Sequence, residues 1–209
     1  MKPTCSDFEA KKSGNFTTLP PVGAYVAEIQ AVRVLDPKKD EVQRLTIELL
    51  MEIIEGEYAN RFHEVYEDQT ERFGSTAKYK GIFRLIPYTD EDEDWRKRAF
   101  QSNLWCVQES NPGYKWDWDE KKLKGKKVGI NLRKRLYTYT NQLGEKKDGE
   151  TVEIAKFETI DDVRNGKCRP MRDRDQREKR DETEMTFTTD NDTYTDVSSK
   201  INVPWPTDD

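Results

Sequence analysis

The sequence predicts a mainly-β domain of five short strands, with a helix between the third and fourth and an acidic segment after the last. Three observations predict it. Apolar residues recur at every second position in several separate runs, the period of a strand with one buried face. Breaks rich in Pro, Gly and Asp separate those runs at short intervals, as in an antiparallel meander. Finally, 33% of the 209 residues are hydrophobic and 37% are charged, so the packed part is modest. The 8 Phe, 5 Trp and 9 Tyr nevertheless make the chain too aromatic for wholesale disorder.

Residues 1–19 are polar and are expected to form a flexible N-terminal segment. After Pro20, Pro21 and Gly23, the positions Tyr25, Ala27, Ile29 and Ala31 alternate with Glu28 and Gln30, a half-buried first strand. Asp36-Pro37-Lys38-Lys39-Asp40 is turn chemistry. The second strand puts Leu45, Ile47, Leu49, Met51 and Ile53 on one face and Thr46, Glu48 and Glu52 on the other. Gly56 ends it, and residues 61–66 are expected to be a short third strand. Residues 78–85 read equally as a further short strand or an inserted loop. Acids at 90–94 ahead of Arg96, Lys97 and Arg98 suit a helix N-terminus, because carboxylates favour the positive end of the macrodipole. Phe100, Leu104 and Val107 share one face of that helix, and Pro112-Gly113 closes it. Asp90, Asp92 and Asp94 have the spacing of a calcium loop. However, Trp95 stands where such a loop needs Gly, and Gln101 where it needs a bidentate Glu. Val128, Ile130 and Leu132 mark the fourth strand, which continues to Thr140. A polar loop over residues 144–149 leads to the fifth, over residues 152–160. This order is that of the OB-fold, a partly open five-stranded barrel whose strand 2–3 face and hairpin loops bind oligonucleotides. The expected organisation is a flexible segment over 1–19, an OB-fold nucleic-acid-binding domain over 20–168, and a charged linker with a disordered acidic arm over 169–209.

Charge reverses abruptly along the last third. Residues 121–180 carry 19 Lys/Arg against 10 Asp/Glu, whereas residues 181–209 carry Lys200 against eight acids. The chain's net charge of −5 therefore divides into about +2 for residues 1–180 and −7 for the remainder. A basic body with an acidic arm is the layout of a polyanion binder. The arm's tip, Val203, Pro204, Trp205 and Pro206 before Asp208 and Asp209, is an apolar peptide suited to docking on a partner protein. Cys5, Cys106 and Cys168 form no CxxC pair, which argues against a zinc site or disulfide framework and fits a reducing compartment. The absence of an apolar N-terminal stretch or an 18-residue apolar run leads to an expectation of a cytoplasmic protein with no membrane partner.

Catalytic motifs are few. His63 is the only histidine, which excludes a two-histidine mechanism, and no phosphate-cradling or nucleophile-elbow motif is present. Binding a single strand without sequence preference needs cations for phosphates and flat rings for bases. Residues 124–139 interleave both: Lys124, Lys126, Lys127, Arg133, Lys134 and Arg135 with Tyr137 and Tyr139. Phe62 and Tyr66, on the expected third strand, would extend the platform.

Several short motifs carry a family resemblance: Pro21-Val22-Gly23-Ala24-Tyr25, Leu45-x-Ile47-x-Leu49 before Glu55-Gly56-Glu57-Tyr58, Leu123-Lys124-Gly125-Lys126-Lys127-Val128-Gly129, and Ile160-x-x-Val163-Arg164-x-Gly166-Lys167. Together they resemble phage-encoded single-stranded-DNA-binding proteins of the small OB-fold type. The resemblance implies a non-enzymatic protein, without cofactor or metal, that coats single-stranded DNA during phage replication or recombination in the host cytoplasm. The acidic arm resembles the C-terminal arms of bacterial single-strand-binding proteins, implying replication or recombination proteins as partners; self-association into a homo-oligomer stays open. Two rivals remain: a small-barrel adaptor for a replication or host-defence protein, and a nuclease or other enzyme using Asp/Glu metal ligands.

Overall fold

The computed structural model describes residues 17–40, 43–141 and 143–177. The arm residues Val203, Pro204, Trp205, Pro206, Asp208 and Asp209 lie outside them, as does most of the expected N-terminal segment. Among the described residues the order is β1 (Ala24–Leu35), β2 (Thr46–Ile53), α1 (Arg61–Phe73), β3 (Ile82–Leu85), α2 (Asp94–Ser110), β4 (Lys127–Thr140), β5 (Lys146–Glu158), α3 (Ile160–Arg164) and β6 (Arg174–Gln176). The strands form one mainly antiparallel sheet in the order β3-β2-β1-β4-β5, with β6 added parallel to β4. The sheet is open. Among the described residues no ladder joins β3 to β5, although Phe83 and Phe157 approach across the gap with ring centroids 4.4 Å apart.

Alternation holds on the core face, except that Leu45 is exposed, while Thr46 and Glu48 on the opposite face of β2 are buried as well. Ala27, Ile29, Ile47, Leu49, Met51, Ile53, Val128, Ile130 and Leu132 are all buried in one core. Two bulges redirect the strands: Gln30 is the extra residue of β1 against β2, and Ala155 that of β5 against β4. A bulge flips the alternation beyond it, which is why Ala31 is only half-buried. Helix α2, between β3 and β4 as expected, buries Phe100, Leu104, Cys106 and Val107. Its polar groups tie it to β5 and to the start of α3: Phe157 N–H donates to Asn103 Oδ1 at 2.8 Å, and Ile160 N–H to Ser110 Oγ at 3.1 Å.

Residues 61–66 are not a strand but the start of α1. Phe62 and Val65, three apart, are its buried side. The device that makes the helix is remote in sequence. Glu52, on the β2 face expected to be solvated, is buried and accepts from Ile53 N–H, Phe62 N–H and His63 N–H at 2.9, 3.1 and 2.8 Å. Its carboxylate thus supplies two acceptors that the first turn of α1 would otherwise lack. Tyr79 Oη donates to the same carboxylate at 2.7 Å. The third strand is instead residues 82–85, one of the two readings open for 78–85. Two further boundaries move. β5 begins at Lys146, inside the expected loop, so the β4–β5 connection is a tight turn in which Glu145 N–H donates to Asn141 Oδ1. The ordered chain also continues past residue 168: Arg169 O accepts from Asn131 Nδ2 at 3.0 Å and β6 pairs with β4.

Candidate nucleic-acid interface

β4 pairs with β1 only from Lys127 to Asn131. Beyond that it continues with β5 as a ribbon to the turn at Asn141, joined on its other edge by β6 alone, from Arg135 to Tyr137. Antiparallel pairing places Arg133 opposite Glu153, Arg135 opposite Thr151, Tyr137 opposite Gly149 and Tyr139 opposite Lys147, and by alternation these pairs share one face. Gly149 matters here because it has no side chain. A Cβ at that position would lie 2.8 Å from the Tyr137 ring, so the ring lies across the glycine. Tyr139 is next to it, with centroids 6.1 Å apart and planes at 48°. The Tyr139 side chain is 45% exposed, and the Arg135 guanidinium lies 5.6 Å from the Tyr137 centroid. Rings beside a guanidinium on an accessible ribbon can stack bases while neutralising phosphates.

The predicted cations do not form one stripe. Arg133 and Arg135 are on the ribbon face with the two tyrosines, both directed at Glu153, at 2.8 and 3.7 Å. Lys134 points to the opposite face and pairs with Glu150 at 3.1 Å. Lys124, Lys126 and Lys127 lie at the start of β4, about 20 Å away at the rise of an extended strand. There Lys126 lies over the Tyr114 ring at 4.8 Å and Lys127 is exposed. Between the two groups α3 covers the strand: a Cβ on Gly129 would meet Val163 at 2.5 Å. Phe62 leaves the predicted set altogether. It is 1% exposed in the core, so it cannot meet a base. Tyr66 is on α1 rather than on a strand, half-buried with its ring edge-on to Tyr79 at 5.7 Å. Both assignments followed from reading a helix as a strand.

A second surface escaped the sequence reading. Arg44, Arg84, Arg96, Tyr88 and Trp95 line a groove of about 260 Å³ beside β3 and the start of α2. Arg96 lies 5.0 Å from the Trp95 centroid. Tyr88 and Phe100 also line an adjoining cleft of about 250 Å³ with Trp105, Trp116 and Trp118. Trp118 has φ 67°, rare for a bulky side chain, and stacks on Phe100 at 6.0 Å and 17°. Trp95, Trp105 and Trp118 are each more than half exposed. The only sequence signal was the Trp content itself, since of these residues Phe100 alone lies on a periodic run. The field there is mixed. Arg44 and Arg96 meet Asp92, Arg84 meets Glu48, and Asp90, Glu91, Glu93 and Asp94 are exposed nearby.

Among the described residues no group of three or more His, Cys, Asp or Glu is placed to hold a metal ion, and no helix is long and apolar enough to cross a membrane. No family model matches this chain, and no curated protein matches it.

Proposed function

We propose that the protein binds single-stranded DNA largely without regard to sequence, shielding the strand during replication or recombination. The observation that carries this reading is the ribbon face, where Tyr137 and Tyr139 lie beside Arg133 and Arg135. Sequence-tolerant binding needs those two components together, because every base has a π-face and every nucleotide a phosphate. The architecture agrees with an OB-type barrel that stays partly open. β1 pairs with both β2 and β4, a helix separates β3 from β4, and Phe83 meets Phe157 where a closed barrel would join β3 to β5. The mechanism is phosphate neutralisation plus base stacking, with no chemical step and no cofactor.

The test is a titration of fluorescent oligo-dT across a salt series, with duplex DNA and RNA of the same length as competitors. Log affinity should fall linearly with log salt, by about 0.7 per phosphate neutralised. Duplex should compete poorly, and chelating divalent cations should change nothing. No binding at low salt would overturn the reading. A second reading, an adaptor that binds another protein, is favoured by the exposed Trp95, Trp105 and Trp118, since exposed aromatic patches mark interfaces. It calls for affinity to a protein in the absence of oligonucleotide. In either reading the residues 203–206 and 208–209 are the proposed recruiting peptide.

A further inference from the structure

β6 is three residues long, and all three are exposed. Its parallel register sets Arg174 beside Arg135. Two guanidiniums side by side repel each other, and the group between them is Glu153 on β5. That carboxylate takes Arg133 at 2.8 Å, Arg174 at 3.6 Å and Arg135 at 3.7 Å. Among the described residues, one negative charge shared by three positive ones leaves a surplus of two on one small area. The Gln176 amide, in the orientation its neighbours favour, accepts from Arg174 Nη2 and Nε at 2.9 and 3.2 Å, which fixes the guanidinium. Arg135 Nε is withdrawn from solvent and has no hydrogen-bond partner among the described residues. Lys80, in the turn before β3, lies in the same field. Burial lowers its pKa from the ordinary lysine value, and the positive charges of Arg135 and Lys78 lower it further.

Like charges gathered around a single carboxylate are unfavourable in the protein alone and are relieved by an anion. We propose that Arg133, Arg135 and Arg174 around Glu153 form a phosphate-binding centre for the nucleic-acid backbone, completed only when β6 docks on β4. Guanidiniums suit that role because their planar fork bonds two phosphate oxygens at once. The centre rests on the single-strand reading above and adds to it a residue from outside the predicted domain. The strand would pass its phosphates along Arg174, Arg135 and Arg133 while its bases turn towards Tyr137 and Tyr139.

The test is the oligo-dT salt titration on the full chain with Arg174→Gln, Arg133→Gln and Glu153→Gln, each checked by thermal melting. Arg174→Gln should flatten the slope by about 0.7 and weaken binding roughly fivefold near 0.1 M salt. Glu153→Gln should strengthen binding, because it removes the competing carboxylate. Wild-type slope and affinity for Arg174→Gln, with Arg133→Gln impaired, would overturn the centre and leave the ribbon reading standing. Wild-type behaviour of both arginine variants would overturn the ribbon reading as well. Should Arg174→Gln melt early, Arg174→Lys decides, since it keeps the charge and loses the fork. Weaker binding at unchanged slope supports the centre, and unchanged affinity overturns it.

Discussion

Tyr137 and Tyr139 hold the same ribbon face but differ in what supports them. Tyr137 is half-buried over Gly149, whereas Tyr139, nearer the turn, is exposed beside its neighbour's ring. Base–aromatic stacking is worth about 1–3 kcal/mol per base. Tyr139→Ala is therefore expected to weaken oligo-dT binding about tenfold with little change in melting temperature. Tyr137→Ala should lose similar affinity and some stability, because it also uncovers Gly149. Anisotropy and melting on the same samples check both, and a Tyr139 variant that melts early but binds normally would assign that ring to the fold. The two tyrosines could be read from the sequence because strand period alone puts i and i+2 on one side. Arg174 could not, because the charged run at 169–181 has no periodicity to announce a strand, and its place is set by three parallel pairings to β4.

At the scale of elements, strands that alternate were legible and helices that alternation mimics were not. Residues 61–66 offered an apolar residue every few positions, too short a window to separate the two periods. What decided the matter was Glu52, whose carboxylate holds the first amides of α1 from a neighbouring strand. Long-range acceptors of this kind leave no local signature. Asp92 plays a comparable part at the turn before α2. It accepts from Thr89 N–H at 2.8 Å and pairs with Arg44 from the β1–β2 connection. The Thr89 amide first, and then the Arg44 guanidinium, hold its pKa down at about 2 against the usual 3.8. A carboxylate depressed in the fold stabilises it above the unfolded value, and that contribution is lost as pH falls through the folded one. Stability should consequently fall between about pH 4 and pH 2. Asp92→Asn should start lower and show a shallower loss across that window, as followed by circular dichroism in urea. An unchanged acid profile would remove Asp92 from the account.

For the whole molecule, the balance of charge is the property most directly read from sequence and the one that governs binding at a distance. Residues 1–180 carry a net charge near +2, and residues 181–209 turn the total to −5. Under the proposed function, nucleic acid meets a chain that is net negative, and residues 181–209 are expected to compete, as a tethered polyanion, for the same arginines. Tethering raises the local concentration of a competitor, to the millimolar range for a short flexible connection. The competition is electrostatic, so salt screens it, with a Debye length of about 30 Å at 0.01 M falling to about 10 Å at 0.1 M. Removing residues 181–209 is expected to leave the melting temperature close to that of the full chain and to tighten oligo-dT binding. The gain should be largest at low salt and shrink as salt is added. Trp205→Ala in the full chain should leave that competition nearly unchanged, because it removes no charge, while weakening recruitment of a partner anchored by the ring. Equal affinity of full and shortened chains at 0.01 M salt would show that the arm does not compete for the ribbon.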